Sequence, residues 1–378
     1  MKRLLLAGAG HAHLNVMRNL AMMPWPDVEV TLVCPYPRQI YSGMIPGWIA
    51  GHYTLEQCAA PLAGLVEKAG IRWIQDTING LDAEHGAVNC QNAGKIAYDV
   101  ISVDTGACVE SSALSNSGAP LLPIRPLEQF AVGWKAIEAA LIASGAARLA
   151  IIGGGAAGVE LALAVDYALR RHLPAAKVSV VLVSSGPLLG GHAPGVVNRV
   201  AKLLKSRNIM LHAGRASGHN EGLILDNGEL ITCDCIIAAT GVAPPAWLAT
   251  SGLARCARGF IAVGDGQQST SHKKVFAAGD VSSRIDAPHA KSGVYAVRAG
   301  PVLTNNLQRA LNGLPPDAYR PQKRSLYLLA SGPQEAIFSW GPLAAAGGWA
   351  WTLKDWIDRR FMLQYQPSGN DTGFRPGS

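Results

Sequence analysis

The chain has 378 residues, 49% of them apolar and 16% charged, with 42 glycines and a net charge of +7. At ~150 residues per domain that length suggests two or three domains, and so apolar a composition excludes a disordered tail or linker protein. The glycine share stands well above the usual ~7% without a G-X-Y period, which excludes collagen, and the scattered Lys and Arg give no nucleic-acid footprint.

In chain order, the first predicted element is a strand over 3–7 (RLLLA). Its basic start followed by leucines imitates a signal peptide. The apolar run is too short for one, and it enters a glycine turn directly. That turn, Gly8-Ala9-Gly10-His11-Ala12-His13, leads into a helical stretch to about Leu20. Strand-like runs follow at 28–33 (VEVTLV) and 71–74 (IRWI), and the unit closes on YDVISVDTGA, with Thr105 and Gly106.

A second unit repeats the pattern. A strand over 148–152 (RLAII) meets Gly153-Gly154-Gly155-Ala156-Ala157-Gly158, then a helical stretch to about Arg171. Runs at 178–183 (VSVVLV) and 208–212 (NIMLH) precede CDCIIAATGV, with Thr240 and Gly241. The glycine turn stands 97 residues before Thr-Gly in the first unit and 87 in the second, so two copies of one domain type are expected. Alternating strands and helices predict parallel α/β architecture.

A third part carries a strand ending at Gly279-Asp280 and a helical pattern over 291–311, where Pro301 should kink or end the helix. Two strands (325–330, 335–340) and a helix near 349–363 complete the chain. No run of 18 apolar residues occurs, so no spanning helix is expected. The seven cysteines have irregular spacing and no C-x-x-C, which argues against a disulfide framework and for a reduced, cytoplasmic setting.

A strand followed by G-x-G-x-x-G and a helix is a diphosphate site: the glycines allow a tight turn, close backbone approach and close helix–strand packing. The second copy is complete at Gly153, Gly155 and Gly158. The first has His13 where the third glycine would stand, so its ring must fit the helix–strand contact or turn toward the cofactor. No metal is expected at His11 and His13, because no further ligand is spaced to match. The ribose-binding acid expected at each second strand is missing: Cys34 and Ser184 stand there, which leaves NAD versus NADP open.

These residues resemble the pyridine nucleotide-disulphide oxidoreductase superfamily, whose first module binds FAD and whose second binds NAD(P)H. C-x₄-C is absent, which places the chain nearer type II NADH dehydrogenases and sulfide:quinone reductases. GHAHL, YSGMIPG, AVRAGPVLTNNL and LKDWIDRRFM look more closely like the flavoprotein module fused to selenide, water dikinase. The resemblance implies an FAD-binding domain over 1–110 and 264–320, an NAD(P)-binding-like domain over 111–263, and an α+β cap over 321–378. The implied fold class is therefore two three-layer Rossmann-like domains, the first discontinuous.

By the same resemblance Gly8, Gly10, His11, Ala12, His13, Cys34, Ser42, Gly43, Met44, Thr105, Gly106, Gly279 and Asp280 line FAD. Gly153, Gly155, Gly158 and Gly241 would line the nicotinamide cofactor. Glu160 matches a carboxylate near the flavin–nicotinamide contact, where it would orient groups or relay a proton; as a first-turn helix acid it would serve the macrodipole alone. Lys291 resembles a lysine at the flavin N1 edge, against the plain reading of a solvated lysine at a helix start. The implied activity is hydride transfer from NAD(P)H to FAD and on to a quinone or other small acceptor. Two alternatives stay open: a selenium- or sulfur-handling flavoprotein of selenophosphate synthesis, and a non-catalytic flavin-binding sensor. Trp349, Leu353, Trp356, Ile357 and Phe361 share one face of the last helix. That face reads either as a peripheral membrane contact at the inner leaflet or as packing over the flavin domain or a homodimer interface.

Overall fold

The computed structural model describes residues 1–366, so the end of the expected cap, 367–378, lies outside the described residues. Two five-stranded parallel sheets organise the chain. The first runs in the order Val275–Ala277, Val100–Val103, Lys2–Ala7, Val28–Val33, Arg72–Ile74. The second runs in the order Leu121–Pro123, Cys235–Ala238, Ala147–Ile152, Val178–Ser184, Met210–Ala213. The orders match, with the strand before each glycine turn at the centre.

The central strands are buried on both faces, as parallel strands under helices must be, which is why Leu4-Leu5-Leu6 and Leu149-Ala150-Ile151 read as continuous apolar runs. Each unit adds a three-stranded antiparallel sheet, one over Ile78–Asp82, Ala87–Cys90 and Gly94–Ala97, the other over Ala216–His219, Gly222–Leu225 and Leu230–Thr232. The chain crosses between units on Cys108–Val109 and Val242–Ala243, which pair antiparallel just after the two Thr-Gly steps.

The helix expected to kink or end at Pro301 does not end there and runs over Gly293–Leu311. Packing holds it. Gly300 lies so near the helix His11–Met22 that a Cβ there would stand 2.8 Å from the Asn15 Cβ. The Thr304 hydroxyl donates to the Gly300 carbonyl at 2.8 Å.

The C-terminal part forms a meander, Tyr327–Ala330, Ala336–Trp340 and Leu343–Gly347, then the helix Gly348–Met362. The third strand was not expected from sequence, because Ala344-Ala345-Ala346 carries no β-branched signal. The last helix docks through Ala350, Trp351, Lys354, Asp358 and Met362. Of the apolar face expected from the spacing, Trp349 and Trp356 are exposed while Phe361 packs on Tyr41, so that face is split between solvent and the flavin domain.

Candidate active site

At the C-terminal end of the first sheet, Gly8 adopts φ +86°, and a Cβ there would stand 2.6 Å from the Asp104 carbonyl oxygen. A Cβ on Gly10 would strike the Asp104 carboxylate at 2.3 Å. The neighbouring strand's own chain therefore demands these two glycines. Asp104 fills the space: its carboxylate accepts the Ala12 N–H at 2.9 Å and the His13 N–H at 3.1 Å. The first helix is thus capped by an acid from within, and the resemblance's use of Ala12 and His13 as cofactor contacts gives way to this internal cap. Burial pushes the Asp104 carboxyl up to about 7 against those two donors, and Asp280 adds to the rise.

His13 resolves the missing third glycine. Its ring is fully buried between helix and strand, with Nδ1 2.6 Å from the Gly8 carbonyl and Nε2 2.8 Å from the Ser102 hydroxyl. Burial pushes it down to about 4, so the imidazole is neutral. His13→Ala leaves both partners unpaired in a cavity. We expect a loss of about 3 kcal/mol in urea unfolding.

Beside this turn opens a cleft of about 760 Å³. Gly8, Gly10, His11, Cys34, Ser42, Thr105, Gly106, Gly279 and Asp280 line it, so the structure gathers these expected residues in one place. Met44 is instead packed in the core, and Gly43 turns its carbonyl to Lys354. Besides Asp104, four charged residues that sequence reading missed also line the cleft: Arg38, Asp76, Arg125 and Glu128. Arg125 pairs with Asp280, and Arg38 pairs with Glu128 at 2.8 Å. Asp76, also in the lining, is held by the N–H groups of Thr77, Asn92 and Ala93 at 2.7–2.8 Å. An acid standing directly before Thr-Gly was the one available signal for Asp104; the second copy has Ala239 there. Among the described residues no group of three or more His, Cys, Asp or Glu could hold a metal.

The cleft fits FAD. Its volume lies in the range of cofactor pockets, the glycines bring backbone to its wall, and Arg125 offers a cation beside Asp280. Its residues would hold the cofactor, with Asp280 and Arg125 at the diphosphate or ribityl and the backbone of 8–10 and 105–106 alongside.

The second turn differs. Gly153 has φ +132°, and a Cβ would stand 2.1 Å from the Ala239 carbonyl oxygen. On Gly158 a Cβ would stand 1.8 Å from the Gly153 carbonyl oxygen, so the helix touches the strand as the motif requires. A Cβ on Gly155 or Gly241 would meet nothing within 4 Å. Among the described residues no side chain caps the helix Ala156–Arg170, so its first N–H groups remain available to an anion. The Ser184 hydroxyl donates to the Gly186 carbonyl at 2.8 Å, turned back on its own loop.

Glu160 does not line the cleft. Its Oε1 accepts the Ala330 N–H at 2.8 Å, and burial pushes the carboxyl up to about 7 against the pull of Lys354. Lys354, buried on the last helix, donates to the Gly43 carbonyl at 2.7 Å and to Asp358 at 2.8 Å. Burial alone would lower its ammonium, but Asp358 and Glu160 hold it above its usual value. The Tyr41 hydroxyl lies against Asp358, and burial holds its proton above the usual phenol range. Tyr41 also packs on Phe361 at 4.7 Å and on His11 at 5.6 Å between ring centroids. Aromatic and ionic contacts thus link Glu160 to the cleft wall.

Lys291 is not among the residues that line the cleft. Its ammonium donates to the Ser282 carbonyl and sits 4.0 Å from the Phe260 ring centroid, and burial pushes it down to about 8. Gly293, two residues on, does line the cleft.

A family model described as pyridine nucleotide-disulphide oxidoreductase matches residues 2–300. The chain is 27% identical over 292 residues to a probable ferredoxin reductase, CtmF, of Castellaniella defragrans, covering 75% of this chain and 68% of that one. It is 22% identical over 402 residues to the sulfide-quinone reductase of Aquifex aeolicus, covering 98% and 92%. Among solved structures, the sulfide:quinone oxidoreductase of Aquifex aeolicus superposes with a TM-score of 0.79 at 21% identity, covering 97% of this chain and 91% of that one.

Proposed function

We propose, from the premise that the chain belongs to the pyridine nucleotide-disulphide oxidoreductase family and is an FAD-dependent NAD(P)H oxidoreductase, that its electron acceptor is a quinone. FAD held in this cleft would supply two-electron hydride chemistry between the nicotinamide and the acceptor. The chain's own residues supply the rest. The first glycine turn and the Arg125–Asp280 pair hold FAD, and the uncapped second helix holds the nicotinamide cofactor's diphosphate.

The observation that carries the acceptor is the aromatic cluster in which Tyr41 and Phe361 pack behind His11 of the cleft wall, backed by a carboxyl near neutrality. A flat apolar ring stacks favourably on such a surface. With the electron pair and one hydrogen supplied as hydride from NAD(P)H, reduction of a quinone to a quinol takes up one further proton, and Glu160, buried behind the cleft wall, holds a proton near pH 7. The match to the Aquifex sulfide-quinone reductase over nearly the whole chain supports the same reading.

Steady-state turnover of NAD(P)H with a short-chain ubiquinone or menaquinone tests it. We expect saturable quinone reduction, faster than reduction of a ferredoxin or of oxygen. Preference for a ferredoxin would end this reading. Glu160→Gln is expected to lower kcat with quinone by roughly 10²-fold and to erase the pH limb near 7, while flavin reduction by NAD(P)H persists.

A further inference from the structure

The two glycine turns of this chain meet an incoming anion differently, and one side chain makes the difference. Asp104 takes three of the four N–H groups from Gly10 to His13. Its carbonyl accepts that of Gly10 at 3.1 Å, and Oδ2 of its carboxyl accepts those of Ala12 and His13. In the second unit Ala239 stands at the matching place before Thr-Gly, and among the described residues no side chain caps the helix there. A helix N-terminus that already holds a carboxylate has little positive field left for a phosphate. Yet Asp104 lines the cleft that fits FAD, and it is only 3% exposed.

The surroundings offer this carboxyl no cation of its own. Asp280 lies near enough to raise its proton affinity, and Arg125 is already paired with Asp280. On the first helix the His13 ring is neutral and bonded to Gly8 and Ser102, and His11 is neutral too, pushed down to about 4 by burial. Beyond Gly279, whose Cβ would stand 2.5 Å from Oδ1 of Asp104, the helix Gly293–Leu311 presents Ala296. An ionised Asp104 would therefore add its charge to that of the FAD diphosphate in a buried site. Like charges so placed disfavour ionisation, and the carboxyl yields because a diphosphate diester stays charged at neutral pH. Oδ1 accepts no N–H among the described residues, so it is the oxygen free to carry a proton. A proton there leaves Oδ2 as acceptor to both helix N–H groups and makes Oδ1 a donor.

We propose that FAD binds this cleft together with one proton, taken up by Asp104, so that the chain holds its flavin more tightly as the pH falls. The charge of the diphosphate is then answered by Arg125 rather than by the first helix. Burial already pushes the Asp104 carboxyl up to about 7, so the diphosphate has only to raise it further. This inference rests on FAD occupying the first cleft and is independent of the electron acceptor.

Release of FAD from dilute holoprotein, read by the fluorescence of the free flavin from about pH 6 to about pH 9, tests it. For wild type the dissociation constant is expected to rise with pH above about 7, toward roughly tenfold per pH unit. Asp104→Asn keeps an oxygen for the two N–H groups and cannot ionise, so its constant should stay flat and lie below that of wild type at the alkaline end. In wild-type holoprotein isotopically labelled at its aspartate carboxyls, the infrared spectrum at about pH 8 should hold a protonated-carboxyl band that moves with the label. A wild-type constant that does not change with pH, or a rise that persists in Asp104→Asn, would overturn the proposal. So would the absence of that band, whether or not the variant folds. A chain that purifies without flavin would instead end the assignment of the cleft to FAD.

Discussion

Gly155→Ala is expected to fold like wild type and to purify with its flavin, yet to raise the KM for NAD(P)H by about tenfold or more. The structure itself has no use for a glycine there: its φ of −78° is open to any residue, and a Cβ would meet nothing within 4 Å. Only a ligand drawn close to the second turn would feel the methyl group. Gly153→Ala makes the contrast. Its Cβ would stand 2.1 Å from the Ala239 carbonyl oxygen at a φ of +132°, so the central strand itself must shift. That change should cost several kcal/mol, at the upper end of single substitutions, and appear as a lowered Tm. Should Gly155→Ala leave KM untouched, the second turn is not a cofactor site.

Lys354→Met is expected to cost about 3–5 kcal/mol, because it strands Asp358 as an unpaired buried carboxylate and frees the Gly43 carbonyl. The double variant Lys354→Met/Asp358→Leu should recover much of that loss, since removing both charges leaves neither unpaired. Lys354 is also the leading influence that holds the Glu160 carboxyl down against burial. Without it the Glu160 carboxyl rises further, and the pH limb of quinone turnover should move to higher pH in Lys354→Met. A limb that stays fixed would show that Glu160 does not titrate in turnover.

The linkage at Asp104 follows the same physics. Its carboxyl stands near 7 in the fold, well above its unfolded value of ~3.9. The stability it contributes is full below that unfolded value and is lost as pH rises through 7. Asp104→Asn should therefore gain on wild type as pH rises from about 4 to 7 in urea titrations.

The duplicated architecture was legible because glycine turns and Thr-Gly steps fall at fixed places on parallel strands, and those local constraints survive in the sequence. What the glycines answer to was not. Gly8, Gly10, Gly153 and Gly158 meet the protein's own backbone or the Asp104 side chain, and only the fold shows which glycines are left for ligands. His13 could be narrowed to two roles, and the burial of both ring nitrogens on Gly8 and Ser102 settles it as structural. The Asp104 cap, the Arg125–Asp280 pair and the Lys354–Asp358 pair join residues 92, 155 and 4 positions apart. The first two depend on chain crossings that no local pattern encodes. For the third, the i, i+4 spacing was visible, but its burial against Gly43 was not.

Anaerobic titration of the purified holoprotein with NADH and NADPH, followed in the flavin's visible absorption band, tests the central claim most directly. The account predicts stoichiometric bleaching on mixing with at least one of the two, sharply slowed in Gly155→Ala at low nucleotide. A flavin that stays oxidised with both nucleotides, or a chain that purifies without flavin, would contradict it.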